Sequence, residues 1–266
     1  MTYVPLTPLD LALAACLMLI NGAISWVFGL RLEKSIAIAA VRMLVQLALV
    51  ALVLKFIFSQ SSVFWTLVMG LVMVLAAGLE VVSRQTRRLG GWPAFAFSSG
   101  TLLFVGMTIT GLGVGVMIGP DPWYAPRYVL PILGMVLGNT MTAISLVLDT
   151  FSEAANRERT AIEARLALGE NRFQAMSSVL HVALRTGMMP ILNSMATTGI
   201  VALPGMMTGQ ILAGVDPVDA AKYQVLIMFL IASATALGSF CAGLGAILLL
   251  SDNRHRLRLD RLVART

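Results

Sequence analysis

The one long polar stretch inside this chain, Asp149 to Thr186, has at its centre Glu163-Ala164-Arg165-Leu166-Ala167-Leu168-Gly169-Glu170-Asn171-Arg172-Phe173. Ala, Glu, Arg and Leu favour helix in its first half. Gly169 can supply a left-handed helix stop. Asn171, with Gln174 three residues on, has the form of a capping box that opens a second helix. The spacing predicts helix, tight turn, helix, with an apolar stripe of Ile162, Leu166, Phe173, Met176 and Leu180. Such a hairpin suits docking on a partner or a plain link between two membrane spans, and periodicity alone does not choose between them. Bond-making chemistry is absent: no nucleophile–base constellation and no carboxylate pair marks an enzyme. No Gly-x-x-x-x-Gly-Lys-Ser/Thr occurs, so the chain has no P-loop for ATP. His181 and His255 have no acidic cluster at metal-ligand spacing, and no metal-ligand set is assigned.

A second group of polar residues lies within apolar runs: Asn21, Arg42, Gln46, Glu80, Asn139, Thr142 and Gln210. Inside a bilayer such groups usually face a bundle interior or a cavity. Arg42 and Gln46 are four apart and share a helix face. Arg42 and Glu80 fall toward the cytoplasmic ends of their spans and are expected to pair, either to fix helix packing or as part of a gate. Pro204 removes a helix hydrogen bond and can unwind its span, and carbonyls freed there can line a cavity. Met206, Met207 and Gln210 follow it. Thioethers prefer soft cations and oxygens hard ones, so Asn139, Thr142, Gln210 and Glu80 are the better candidates for a hard cargo. The sixteen methionines read mainly as adaptable packing, as do Cys16 and Cys241, which form no disulfide framework.

Seven apolar runs carry these residues: Leu9–Phe28, Ser35–Phe58, Val63–Val82, Ala94–Ile118, Tyr128–Leu148, Gly187–Ala213 and Tyr223–Leu250. Each is long enough to cross about 30 Å of hydrocarbon as a helix. The first has no basic n-region and reads as a retained span. Arg31 and Lys34, then Arg84, Arg87 and Arg88, then the arginines of residues 157–185, then those of the 251–266 tail occupy alternate polar segments. The positive-inside rule places these in the cytoplasm, with the N-terminus outside and the C-terminus cytoplasmic. The basic tail reads as an anchor to anionic lipid. Gly134 and Gly138, Gly205 and Gly209, and the cluster Gly111, Gly113 and Gly115 are placed for close helix approach.

Composition agrees. Hydrophobic residues make up 58% and charged residues only 12%, about half the share of a soluble domain. Mean hydropathy is +0.86. A net charge of +6 sits in short loops with no continuous stripe, which excludes nucleic acid as a partner. The fold class is all-α: a single transmembrane domain over residues 1–266, with a cytoplasmic segment at 149–186 and a basic tail at 251–266.

The Glu163–Gly169 stretch resembles the EAA loop of ABC-transporter permeases, where Glu-Ala-Ala, three residues, then Gly form a cytoplasmic coupling helix. Arg165 replaces the second Ala, and the usual downstream Ile-x-Leu-Pro is missing at its normal spacing. Two further runs sharpen the likeness. They are Tyr128-Val129-Leu130-Pro131 through Gly138-Asn139-Thr140-Met141-Thr142, and Leu203-Pro204-Gly205-Met206-Met207-Thr208-Gly209-Gln210. Together these resemble the FetB family of bacterial iron-export ABC permeases, which has plant relatives linked to aluminium tolerance. The resemblance implies a non-enzymatic permease of the bacterial inner membrane that exports iron or a related metal. It implies a FetA-like ATPase partner that binds the ATP and Mg, a permease homodimer, and coupling through Glu163, Ala164, Arg165, Gly169, Arg172 and Phe173. The expected substrate pathway is Asn139, Thr142, Pro204, Met206, Met207, Gln210, Glu80, Arg42 and Gln46. A proton-coupled transporter with Glu80 as the titrating group, or a membrane scaffold that moves nothing, are the alternatives.

Overall fold

The computed structural model describes residues 7–60, 62–85, 87–89, 92–252 and 254–264. The chain divides into two units, Met1–Ser61 and Ser62–Thr266. The first unit holds α1 (Pro8–Val27) and α2 (Glu33–Gln60), packed against each other. Thr7 caps α1 in a reciprocal box with Asp10, and Pro8 stands at the first helical position, where it has no amide to lose. Ser25, 2% exposed, pins the connection: its hydroxyl donates to Glu33 Oε2 at 3.2 Å and accepts the Leu32 amide at 2.9 Å.

The second unit holds α3 (Val63–Arg84), α4 (Trp92–Leu112) with a π-helical extension over Gly113–Ile118, α5 (Pro126–Arg157), α6 (Arg159–Ala167), α7 (Arg172–Ala175), α8 (Ser177–Thr197), α9 (Gly205–Leu212) and α10 (Pro217–Leu249). Among the described residues, six helices are long and apolar enough to cross a membrane: α1, α2, α3, α4 with its extension, α5 and α10. The chain is therefore an all-α polytopic membrane protein.

The expected sixth span, Gly187–Ala213, is not one helix, and the count of seven is corrected accordingly. α8 begins ten residues earlier, at Ser177, and ends at Thr197. The Thr197 carbonyl then accepts the Val201 and Ala202 amides at 3.0 and 3.2 Å, Gly199 turns at φ +87°, and Pro204 opens α9. A turn closes the helix end, and Pro204 has no amide with which to continue it.

α5 is central and packs against α3, α4, α8 and α10. Ile144, Val147 and Phe151 are fully buried along it. Lipid tails are as apolar as leucine, so association depends on close packing. Glycine allows it at several positions, three of them among α5, α8 and α10: a Cβ on Gly187 would strike Val147 and come within 3.1 Å of the Ala143 carbonyl, one on Gly238 would strike Thr140, and one on Gly243 would strike Leu180 of α8. Several of the glycines expected to pack do not. Gly111, Gly115, Gly138, Gly205 and Gly209 have nothing within 4 Å of that position, whereas Gly113 packs on Leu230 and Gly134 meets Met73 at 3.2 Å. Spacing places a glycine on a face, but only the neighbouring helix decides whether that face is covered.

The tail folds back onto the bundle. β1 (Arg87–Leu89) pairs antiparallel with β2 (Leu262–Ala264), and Leu257, Leu259 and Leu262 pack against the larger core cluster. The lipid-anchor expectation overlooked these alternating leucines.

Gly187→Ala is expected to lower the stability of the protein in lipid nanodiscs by about 1–3 kcal/mol, because a rigid β-branched side chain and a backbone carbonyl must give way. Gly138→Ala, which meets nothing, is expected to be neutral or slightly stabilising. Thermal unfolding of the two variants side by side checks this.

Candidate functional site

The polar hairpin forms as its residues dictate. α6 ends in a Schellman turn: the Gly169 amide donates to Leu166 O at 3.1 Å and the Glu170 amide to Arg165 O at 3.2 Å. Gly169 sits at φ +96°, in the left-handed region. Asn171 Oδ1 then accepts the Phe173 and Gln174 amides, both at 3.0 Å, while Gln174 Oε1 accepts the Asn171 amide at 3.1 Å. The second helix, α7, is one turn long and runs through Met176 into α8. The expected helix, turn and capping box are all present.

Arg165 ties the two arms together. Its Nε lies 2.8 Å from Glu170 Oε2, and its guanidinium donates to Ala175 O at 3.3 Å. Arg159 pairs with Glu163 at 2.8 Å. The expected apolar stripe divides. Ile162 and Met176 are buried, and Leu166 and Leu180 pack against the core, but Phe173 is 41% exposed and its neighbour Leu168 is 86% exposed. The hairpin therefore has a rigid inner face and an apolar tip facing outward. Ala164 lies on α6 between these ties.

Reading by motif missed the tail's part in this site. The Arg172 guanidinium lies 5.4 Å from the Phe173 ring and donates to Ser251 Oγ at 3.4 Å. The Arg172 amide donates to His255 Nδ1 at 3.5 Å. His255 adopts a left-handed backbone, φ +56°, within a loop that Asp252 holds. Asp252 Oδ1 accepts the Arg254 and Arg256 amides, each at 2.9 Å. The Arg256 amide, then the Arg254 amide and the charges of Arg256 and Arg258 hold this carboxyl below its ordinary value. Arg258 and Asp260 form a bidentate pair with both contacts at 2.9 Å. An open cleft of about 430 Å³ lies between hairpin and tail, lined by Glu163, Leu166, Ala167 and residues 254–257. A second, also of about 430 Å³, lies beside Arg165, Glu170 and Phe173.

The membrane-level residues are spread over several elements. Asn139 and Thr142 lie on an open stripe of α5, donating to Met135 O at 2.8 Å and Gly138 O at 3.0 Å. Met206 packs into the second core cluster with Ile132, Val136 and Ile191, as a packing residue would. Met207 is half-buried beside it. Gln210 is half-buried, and its Oε1 has no hydrogen-bond partner among the described residues. These three lie on α9, which packs on α10. Glu80 is ion-paired with Arg84 at 3.2 Å. Arg42 and Gln46 stand on α2, in the first unit. Among the described residues no group of three or more His, Cys, Asp or Glu side chains could hold a metal. The sequence reading also missed Asn193, Ser194, Thr197 and Thr198, which crowd the end of α8. Their signal was the polar run itself, hidden inside what read as one continuous span.

A model of an uncharacterised protein family, UPF0014, matches residues 8–248. The chain is 35% identical over 254 residues, 95% of each chain, to a protein of Escherichia coli K12 named probable iron export permease protein FetB. It is 36% identical over 230 residues, 86% of this chain and 89% of the relative, to the membrane protein YjkA of Bacillus subtilis 168. It is 30% identical over 228 residues, 86% of this chain and 81% of the relative, to the protein ALUMINUM SENSITIVE 3 of Arabidopsis thaliana. No solved structure matches.

Because Asp252 titrates lower in the folded tail than its ordinary 3.8, its contribution to loop closure is complete above that value and is lost as pH falls through the lower folded one. Hydrogen-exchange protection of the Arg254 and Arg256 amides is expected to hold from neutral pH down to about 4 and to fall only below it. Loss of protection already near pH 6 would show that the Asp252 carboxylate does not hold the loop closed.

Proposed function

The chain belongs to the UPF0014 family of membrane proteins, and on that premise we propose that it is the permease subunit of an ATP-binding-cassette transporter that exports iron or a related metal. The ATP and Mg belong to a separate FetA-like ATPase, and two permease copies work with two ATPase subunits. The polar hairpin and tail lie in the cytoplasm. One observation carries this reading: α6 and α7 form a projection whose inner face is buried and whose outer side offers Leu168 and Phe173, while Arg172 reaches back to Ser251 of the tail.

The projection is mechanically continuous with the bundle. Only Glu158 separates α5 from α6, and α7 runs into α8 through Met176. A displacement at the tip therefore reaches α5 and α8 together, provided the hairpin does not bend. Gly169 permits the turn, Arg165 braces it through Glu170, and Glu163 with Arg159 and Ala164 keep α6 helical beneath it. Closing and opening of the ATPase pair moves the projection, and α5, with α8 and α9, re-exposes its polar stripe to the other side of the membrane. Asn139 and Thr142 line that path, with Pro204, Met206, Met207 and Gln210 on the far side of the break in the sixth segment. The likeness to a named iron exporter across 95% of both chains supports the direction and the cargo.

The test is ATP hydrolysis by a FetA-like ATPase, reconstituted with this chain in liposomes with and without Fe(II). Stimulation by this chain and by iron is expected, and Gly169→Arg should abolish both, because a side chain at φ +96° reshapes the turn. Two proteins that neither associate nor change each other's activity would defeat the reading and favour a transporter driven by protons.

A further inference from the structure

α8 stops short of the N-terminal end of α5. Gly187 lies against Ala143 and Val147 of α5, Gly238 of α10 against Thr140 and Ile144 of α5, and Gly243 of α10 against Val147 of α5 and Leu180 and Leu184 of α8. These contacts make α10 parallel to α5 and α8 antiparallel to both. Thr197 is ten residues beyond Gly187, about 15 Å at 1.5 Å per residue, so α8 ends level with the α5 turn that carries Met135 and Gly138. Backbone that leaves the helix at such depth belongs beside a water-filled cavity or under a protein cover.

The break frees oxygens. The Gly199 amide donates to Ala202 O and the Ile200 amide to Thr197 O. Neither is left for Met195 O or Ala196 O, which a continuing helix would satisfy. Ser194 and Thr198 are seven and eleven residues after Gly187, so by helical period they fall on the stripe that carries Gly187, Ser194 exposed and Thr198 half-buried at the cap. Asn139 is four residues before Ala143 and shares its face toward α8. Thr198 Oγ1 donates to Ser194 O at 2.7 Å and Asn139 Nδ2 to Met135 O at 2.8 Å. Thr198 Oγ1 and Asn139 Oδ1 accept none of these bonds and keep their acceptor lone pairs, and the second Asn139 amide hydrogen remains to bind water. An independent observation lies deeper, where α10 crosses α5 and α8. The hydroxyls of Thr140, Thr235 and Ser239, each on a residue no more than 1% exposed, have no hydrogen-bond partner among the described residues. Buried groups of that kind require water or an ion.

We infer that this seam, between the C-terminal end of α8 and the Asn139 turn of α5, is a transient binding site for a partly hydrated hard divalent cation. The inference rests on the transport reading above and names the place where cargo pauses. Every donor is a neutral oxygen, and the half-helix end adds a partial negative charge. Oxygen donors select hard cations over soft ones. The lack of a carboxylate keeps binding weak enough for release, as neutral carbonyls and hydroxyls do in conduction pathways.

The test uses the purified full chain in lipid nanodiscs, without ATPase, dialysed anaerobically against Fe(II). Saturable binding is expected. Ser194→Ala with Thr198→Val should raise the half-saturating concentration about tenfold or more, the order expected from two lost hydroxyl contacts. Thr198→Ser should bind as the wild type does. Asn139→Leu should reproduce the loss if the double variant fails to insert. Gly169→Arg, remote from the seam, should bind normally whatever it does to ATP hydrolysis, so failure of the coupling reading and failure of this site are read separately. No saturable binding by the wild type, or unchanged binding by a folded double variant or by Asn139→Leu, overturns the inference.

Discussion

Helices in lipid gain nothing from leaving water, because they are already out of it. The second unit therefore depends on how closely α8 and α10 can approach α5, and Gly187, Gly238 and Gly243 set that distance. The consequences run through the whole unit. Close approach buries Ile144, Val147 and Phe151, aligns α8 against α5 with a defined offset, and so determines the depth at which α8 ends. With a methyl at Gly187 the seam would open, and with it the geometry of the break.

The same α5–α8 pair links the two ends of the molecule's chemistry. At one end the pair continues into a braced hairpin with an apolar tip. Further along, it carries Asn139 on α5 and the break at the end of α8. On the proposed coupling role the hairpin needs stiffness, which Arg165, Asn171 and the folded tail supply. A part that must bind and release needs accessible, weakly binding groups, which a broken helix supplies without a single carboxylate. The tail matters here because β1–β2 pairing and its leucines make it a strut against the hairpin, where its arginines alone suggested a loose lipid anchor.

Local rules were legible in the residues wherever the interaction is local. Gly169, Asn171 and Gln174 specified the hairpin turn because a left-handed stop and a capping box involve only near neighbours. Apolar run length identified α1 to α5 and α10 as spans, since crossing hydrocarbon is a matter of length and composition. The sixth segment failed for the same reason that the others succeeded. Hydropathy sees Ile200, Val201 and Leu203 as span, but Gly199, Pro204 and the Thr197 carbonyl close a turn there.

The sequence by itself determined the class of the protein, its family likeness, the polar hairpin and the roster of polar groups within the spans. Tertiary structure decided which glycines touch a neighbour, that the tail braces the hairpin, and the depth along α5 at which α8 ends. Those facts depend on residues tens of positions apart being brought together by packing, and a single sequence carries no distance between one helix and the next.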